Sequence, residues 1–405
     1  MARKAHEISN ELWRDGKGWV LITVSAGWFL SIGVRFTYPS ILPFLRTTFG
    51  MDLSTAGFLL STLWIAYAIG QFPGGVLGDR FGEGNILVFS TAISTVAVVL
   101  VVTAMNIWVL FVATFMFGFA TALYGPHRFT IFTDIYDDRS GTAVGMTMAA
   151  GSIGNTILPA AAATIAAYAT WRLGFGVLLP LFIGITVALW LVVPTRTSNT
   201  GSTDDVLSFR TLRRIIASVR QGGIPLVVLI HVLLSFVSNG FLGFYPTYLV
   251  EVKGFSPQIA AVLYGLYFAV GVVVQLLVGL SKDKFGAKLT LILVAGMFFS
   301  GVLFLQFGET ILYFVLLTLL LSNRNGLGVI TNTYIADTLP DEIKGSGLGL
   351  LRTSWIMVGA MSPIFVGYLG DLGQLDYAFL ILAGVAGVGL FLTAFVPKGD
   401  PISGS

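Results

Sequence analysis

Twelve predominantly apolar stretches of about twenty residues follow one another along this chain, and that recurrence constrains the fold more than any other feature. A helix rises 1.5 Å per residue, so about 20 residues cross the hydrocarbon layer of a bilayer. The spans lie near 18–45, 54–78, 85–104, 107–133, 143–168 and 173–194, and again near 224–250, 257–280, 288–307, 311–336, 345–369 and 377–397. Between the two sets runs a polar stretch, 195–221, that carries Arg196, Arg210, Arg213, Arg214 and Arg220. The expected fold is an all-α integral membrane protein: a six-helix bundle over 1–194, a cytoplasmic linker over 195–223 and a second six-helix bundle over 224–405. The segment after Gly18 is too long for the core of a signal peptide and reads as a retained first span.

Composition agrees. Charged residues make up 11% of the chain, against about 25% in a soluble domain, too few to cover a water-facing surface of this size. There is no cysteine, which excludes disulfides and thiolate metal sites. A net charge of +3 is too small to argue for nucleic acid. No metal cluster, phosphate-binding loop or nucleophile with a placed base stands in the sequence, so neither an enzyme, a cofactor nor ATP-driven transport is expected.

The basic residues set the orientation. With the N-terminus in the cytoplasm, that side receives Arg3, Lys4, Arg14, Lys17, Arg80, Arg139, the five linker arginines, Lys282, Lys284, Lys288, Lys344 and Lys398. The other side receives only Arg46, Arg172 and Lys253. Both termini are therefore expected inside, in a multi-pass protein of the cell (plasma) membrane. Trp19 and Trp190 then fall at the inner interface, and Trp108 and Trp171 at the outer one. The piece 211–221 reads equally well as a basic helix on the anionic leaflet and as a solvated linker.

The chain repeats itself. A shift of 204 residues brings Gly50, Gln71, Gly75, Asp79, Phe81 and Gly82 onto Gly254, Gln275, Gly279, Asp283, Phe285 and Gly286. The same shift brings Gly141, Gly145, Pro159 and Phe175 onto Gly345, Gly349, Pro363 and Phe379. The two bundles are thus duplicates and pseudo-symmetric, a plan shared by transporters that bind solute between repeats. Gly70, Gly74 and Gly78 recur every fourth residue on span 2, a spacing that lets helices pack closely.

At these residues a resemblance becomes specific. Gly75-Val-Leu-Gly-Asp79-Arg80-Phe-Gly82 resembles the signature loop between helices 2 and 3 of the major facilitator superfamily, and Gly279-Leu-Ser-Lys-Asp283-Lys284-Phe-Gly286 resembles its copy in the second half. The likeness extends over essentially the whole chain. It departs after Gly82, where Glu83 and Gly84 replace a basic pair that the second copy keeps in part as Lys288. The resemblance implies alternating access, with Asp79 bracing the start of span 11 near Gly345 and Asp283 the start of span 5 near Gly141. A carboxylate at a helix N-terminus gains from the helix dipole. Arg80, Asp134, Arg139, Lys284, Asp337 and Lys344 complete the candidate gating set. In span 5, Gly145-x8-Gly154-x3-Leu158-Pro159 matches the superfamily's antiporter signature only in part. In spans 1 and 2, Arg35…Pro43, Gly57-Phe-Leu-Leu-Ser61 and Tyr67-Ala-Ile-Gly-Gln71-Phe-Pro73-Gly74 resemble the anion:cation symporter branch.

Four arginines lie inside spans: Arg35, Arg128, Arg324 and Arg352. No Asp or Glu does; Asp134, Glu251, Asp337, Asp371 and Asp376 all stand at span ends. Each central arginine costs about 3 kcal/mol on insertion scales, so relief must come from water, protein partners or a bound anion. Arg352 lies roughly 12 Å beyond Lys344, and Arg324 roughly 20 Å below the outer end of span 10, both near the midplane. Arg128, nearer the inner end, is within reach of Asp134. Polar stripes accompany the arginines: His231, Ser235, Ser238, Asn239 and Tyr245 in span 7, Thr114, Thr121 and Tyr124 in span 4, Ser31 and Tyr38 in span 1, and Asn323, Asn325 and Asn332 in span 10, where Gly326 and Gly328 loosen the helix.

A guanidinium binds carboxylate or phosphate in bidentate fashion. The expected solute is therefore a small anion: a carboxylate, a sugar acid or a phosphorylated metabolite. Candidate ligands are Arg35, Tyr38, Tyr124, Arg128, His231, Asn239, Tyr264, Tyr267, Arg324, Asn325 and Arg352. The coupling ion, a proton or sodium, is left open; His127 and His231 are the protonatable groups within spans. The alternatives are a carrier of neutral or cationic compounds, with structural arginines, and a transporter-like sensor. A single chain carries both repeats and is expected to work as a monomer.

Overall fold

The computed structural model describes residues 13, 16–136, 139–197, 223–340 and 344–397, without the side chains of residues 72, 79 and 344–346. Arg3, Lys4, Arg14, Arg210, Arg213, Arg214, Arg220, Lys398, the piece 211–221 and the side chains of Asp79 and Lys344 lie outside the described residues. Among the described residues every regular element is a helix.

The first five spans are Lys17–Phe49, Leu53–Phe81, Glu83–Thr103, Ile107–Ile135 and Ser140–Tyr168. The sixth comprises Trp171–Gly176 and Leu179–Val192, restarted by Pro180 in the first turn of the second piece. The seventh is Ile224–Glu251 and the twelfth Leu375–Thr393. The helix Pro257–Phe304 is twice as long as a bilayer needs and contains spans 8 and 9, separated at Gly286. Span 10 comprises Ile311–Leu321, a 3-10 turn over Ser322–Gly326, and Leu327–Thr338. Span 11 comprises Lys344–Ala360 and Ser362–Asp371, with Pro363 at the restart. Among the described residues eleven helices are long and apolar enough to cross a membrane, and dividing the longest at Gly286 gives twelve crossings, at the positions expected from the apolar runs.

The duplication is written in the backbone. Gly50 and its counterpart Gly254 have φ of 63° and 70°, and Gly82 and its counterpart Gly286 have φ of 88° and 81°. These are left-handed values that other residues adopt at a cost, so the two repeats end their first helix and turn after their second in the same way.

The chain divides into two compact units, one of residues 1–44 and 62–203, the other of 45–61 and 204–405. In the first unit the glycine ladder of span 2 lies on span 4. A Cβ on Gly70 would come within 2.7 Å of Ala122 Cβ, and one on Gly78 within 1.9 Å of the His127 ring, whose Nε2 bonds the Gly74 carbonyl at 2.7 Å. The departure from the superfamily loop has a local cause. The chain leaving span 6 folds back onto this turn: Glu83 accepts the Thr197 N–H at 3.2 Å, and Gly84 leaves room for the Pro194 carbonyl, 2.0 Å from where a Cβ would stand. Arg196 donates to the Arg80 carbonyl at 3.0 Å.

The second unit holds spans 7–12 together with the C-terminal end of span 1 and the start of span 2. There Arg46 pairs with Glu251, and the Asp371 carboxylate caps span 2. Trp19, Trp108 and Trp190 are exposed, as interface anchors require. Trp171 is not: it is 4% exposed, because Thr170 caps the helix and turns its first residue inward.

Candidate functional site

In the first unit, Arg35 and Arg128 are among the largest fully buried side chains. Trp28, two turns before Arg35 on span 1, touches both guanidiniums. The Arg128 guanidinium carbon stands 3.5 Å from its ring centroid and that of Arg35 5.4 Å. Arg35 lies closer still to Tyr67, at 4.0 Å, and faces Trp64 at 5.5 Å, while Arg128 faces Phe129 at 3.9 Å. Arg35 Nε donates to the Ser31 carbonyl at 3.2 Å and Arg128 Nη1 to the Gly125 carbonyl at 2.5 Å. Desolvated cation–π contacts reach about 2 kcal/mol each, comparable to the insertion cost of an arginine. Aromatic rings and carbonyls therefore meet part of the cost of burying these two charges.

Arg128 does not turn to the acid within its reach, Asp134. Asp134 is exposed and accepts the Thr197 hydroxyl at 2.8 Å, whereas Arg128 turns back along its helix onto Trp28. Tyr38 and Tyr124 are buried among rings. Tyr38 packs on Phe175 and Phe117, at 5.1 and 6.2 Å between centroids, and Tyr124 stacks on Trp28 and donates to the Val24 carbonyl at 2.7 Å.

In the second unit, the 3-10 turn in the middle of span 10 carries Asn323, Arg324 and Asn325. Such a stretch inside a helix often marks a functional site, because it frees backbone groups and redirects side chains. Arg324 Nε donates to the Leu234 carbonyl at 3.2 Å and Nη2 to Ser235 Oγ at 3.0 Å. Its Nη1 has no hydrogen-bond partner among the described residues. Arg352 on span 11 is exposed, with no hydrogen bond or ion pair among the described residues. His231, one turn before Ser235, is buried, stacked on Trp355 at 4.0 Å between centroids, and bonded through Nδ1 to Thr331 Oγ1 at 2.6 Å.

Tyr267 is buried nearby, edge-on to Phe268 and tilted against Phe241, at 5.0 and 5.8 Å between centroids. Asn325 spans to helix backbone, bonding the Ser322 carbonyl at 3.1 Å and the Tyr267 carbonyl at 3.4 Å in the notch over Gly271. Asn239 bonds the Ser235 carbonyl at 2.9 Å and fills the space over Gly359. Tyr264 is buried against Phe268. Trp28, Thr331 and Trp355 were not among the sequence candidates; the signal for each tryptophan was its place on the same helix face as an intramembrane arginine, seven residues before Arg35 and three after Arg352.

Among the gating candidates, Arg80 lies against Phe81 and Lys284 against Phe285. Asp337 pairs with Lys282 at 3.5 Å, Arg139 stands at the N-cap of span 5, and Asp283 is exposed. Lys288 donates to the Ala394 carbonyl at 2.6 Å. Among the described residues no group of His, Asp and Glu could hold a metal ion.

Twelve membrane-spanning stretches among the described residues, in two duplicated halves with charged groups inside the spans, are the architecture of a multi-pass transporter. A sequence profile of the Major Facilitator Superfamily matches residues 24–331 and 283–404, and the chain belongs to that superfamily. It is 24% identical over 397 residues, covering 91% of each chain, to the "Probable sulfoacetate transporter SauU" of Cupriavidus necator. It is also 24% identical, covering 95% of this chain and 94% of the other, to the "Probable galactarate/D-glucarate transporter GudP" of Escherichia coli. The crystal structure of the nucleoside transporter NupG superposes with a TM-score of 0.77 over 94% of this chain and 99% of that one, at 14% identity, a likeness of fold alone.

Proposed function

We propose that this protein is a secondary carrier for a small organic anion, working by alternating access as a monomer in the plasma membrane with both termini in the cytoplasm. The observation that carries the reading is the pair Arg324 and Arg352: two midspan guanidiniums with hydrogen-bonding capacity to spare and no carboxylate paired to them among the described residues. An anion that binds them gains charge-assisted bonds and removes the cost of leaving them unpaired. The relatives add weight to this, since sulfoacetate, galactarate and glucarate each carry two anionic groups, and two guanidiniums suit a two-headed anion. Arg35 and Arg128, in the other unit, are held in place under aromatic rings. The inward excess of basic residues supports the orientation.

Thermal stabilisation of the purified protein tests the reading. A ligand at a hundred times its dissociation constant stabilises the folded state by about 2.7 kcal/mol. The panel holds sulfonates, mono- and dicarboxylates, sugar acids, phosphate esters, neutral sugars and cationic drugs, each against wild type, Arg324→Ala and Arg352→Ala. Stabilisation by one class of anion, lost in both variants, is expected. Stabilisation by neutral or cationic compounds that survives both substitutions would remove the anion site.

A further inference from the structure

We infer that His231 is the coupling-proton site of this carrier, with the transported proton held on Nε2 beside Arg324 and Arg352. The inference rests on the anion-carrier reading above and supplies the coupling ion that reading leaves open.

The argument begins with the tautomer. Thr331 has one hydroxyl proton, and its Oγ1 lies 2.9 Å from the Leu327 carbonyl four residues back, a group that can only accept. With that proton given to the Leu327 carbonyl, Thr331 Oγ1 is the acceptor in its 2.6 Å contact with His231 Nδ1. Nδ1 therefore carries the imidazole proton, and Nε2 presents a lone pair. Nε2 has no hydrogen-bond partner among the described residues, so a second proton can arrive there without breaking a bond.

The cations at this site are Arg324, which donates to Ser235 one turn after His231, and Arg352, three residues before the Trp355 that stacks on the imidazole. The other titratable side chains on helices packed against span 7 include the tyrosines Tyr264, Tyr267 and Tyr334 and, at helix ends, the acids Asp337, Asp371 and Asp376. Two fixed positive charges repel a third. An anion bound to the guanidiniums removes that repulsion, so anion and proton favour each other's binding, and the linkage is reciprocal. The proton comes from water on the side where the solute enters and returns to water on the other, with no bond to carbon made or broken. Trp355, stacked on the imidazole at 4.0 Å and 27°, stabilises the imidazolium through its ring face once it forms. The arrangement makes a cotransporter out of a site with no intramembrane acid.

The chain has three histidines, His6, His127 and His231, so the full-length protein labelled with nitrogen-15 histidine gives a readable set of imidazole signals in lipid nanodiscs. His231→Gln assigns the signal of interest. His127, whose Nε2 faces the Gly74 carbonyl, serves as the control of opposite tautomer. At neutral pH without anion, His231 is expected to carry its proton on Nδ1 alone. In Arg352→Gln, which mimics neutralisation without any ligand, Nε2 is expected to take its proton at a pH about one unit or more higher than in wild type. Millimolar sulfoacetate or D-glucarate is expected to do the same in wild type, and choline chloride to do nothing. A proton on Nε2 in the anion-free protein, or a titration unmoved by Arg352→Gln and Arg324→Gln, would overturn the proton site whatever the solute. The expected tautomer and variant shifts, with no anion of the stabilisation panel moving the titration, would uphold the proton site and overturn the anion reading.

Discussion

The Asp371 carboxylate, at the end of span 11, accepts the backbone N–H groups of Leu53 and Ser54 at 2.6 and 2.8 Å, one on each oxygen. These are the first two residues of span 2, and the third, Thr55, donates its N–H to Asp52 at 2.7 Å. Three of the four orphan donors of that helix are thus met by two acids, one its own N-cap and the other from more than 300 residues away in sequence. Both contacts lie within the second unit.

Asp371→Asn removes the charge and one of the two acceptors. Loss of a cap costs about 1 kcal/mol, and loss of a negative charge at a helix N-terminus about 0.3–1 kcal/mol more. The Tm of the purified variant should fall, and Asp371→Ala should fall further. An unchanged Tm in both would show that the contact carries no stability.

Asp52 gives the same helix end a pH dependence. The Thr55 side chain and N–H bond its carboxylate and hold it below the usual range, with help from Arg46. A group depressed in the folded state contributes stability above its unfolded value, near pH 4, and loses it as pH falls through the folded one. The Tm difference between wild type and Asp52→Asn should therefore be constant from pH 7 to about 5 and shrink below about pH 4. A difference that grows on acidification would contradict the assignment.

Gly78 is held small by the His127 ring. Gly78→Ala places a methyl 1.9 Å from a ring carbon, an overlap that costs about 1–3 kcal/mol in a packed core. Replacing His127 with Ala makes room for that methyl. The double variant should be more stable than the sum of the two single effects predicts, a coupling measurable by a double-mutant cycle. Strict additivity would place the ring elsewhere.

Trp28 is predicted to hold two buried charges through its ring face as well as its volume. Trp28→Phe keeps an aromatic face over Arg35 and Arg128, and Trp28→Leu does not. The leucine variant should be less stable than the phenylalanine variant by about 1–2 kcal/mol. Equal losses would leave packing alone as the role of the ring.

Most of the fold was legible because its signals are local. Apolar runs gave the spans to within a few residues, even where helices 8 and 9 merge across Gly286. The 204-residue shift pairs Gly50 with Gly254 and Gly82 with Gly286, and the structure gives each pair the same left-handed backbone. Gly326 and Gly328 pointed to the loosened helix that became the 3-10 turn around Arg324. What stayed hidden depends on contacts between helices far apart in sequence. Arg128 has Asp134 within reach six residues on, yet it lies on a ring 100 residues earlier. Trp171 was placed at the interface by its depth, which does not say which face of the helix it takes. The partners of His231 come from spans 10 and 11, and no spacing within span 7 reveals them.

Counterflow into proteoliposomes tests the central claim most directly. Vesicles loaded with unlabelled sulfoacetate, D-glucarate or a phosphate ester are diluted into the same labelled compound, for wild type, Arg324→Ala, Arg324→Lys and Arg352→Ala. Charge-assisted bonds worth about 1.5–3 kcal/mol correspond to roughly ten- to a hundredfold in affinity. The account predicts exchange of at least one anion by wild type, reduced at least about tenfold in both alanine variants. The lysine variant should not restore it, since an ammonium cannot reproduce the guanidinium fork. Exchange of a neutral or cationic solute, with all three variants as active as wild type, would contradict it.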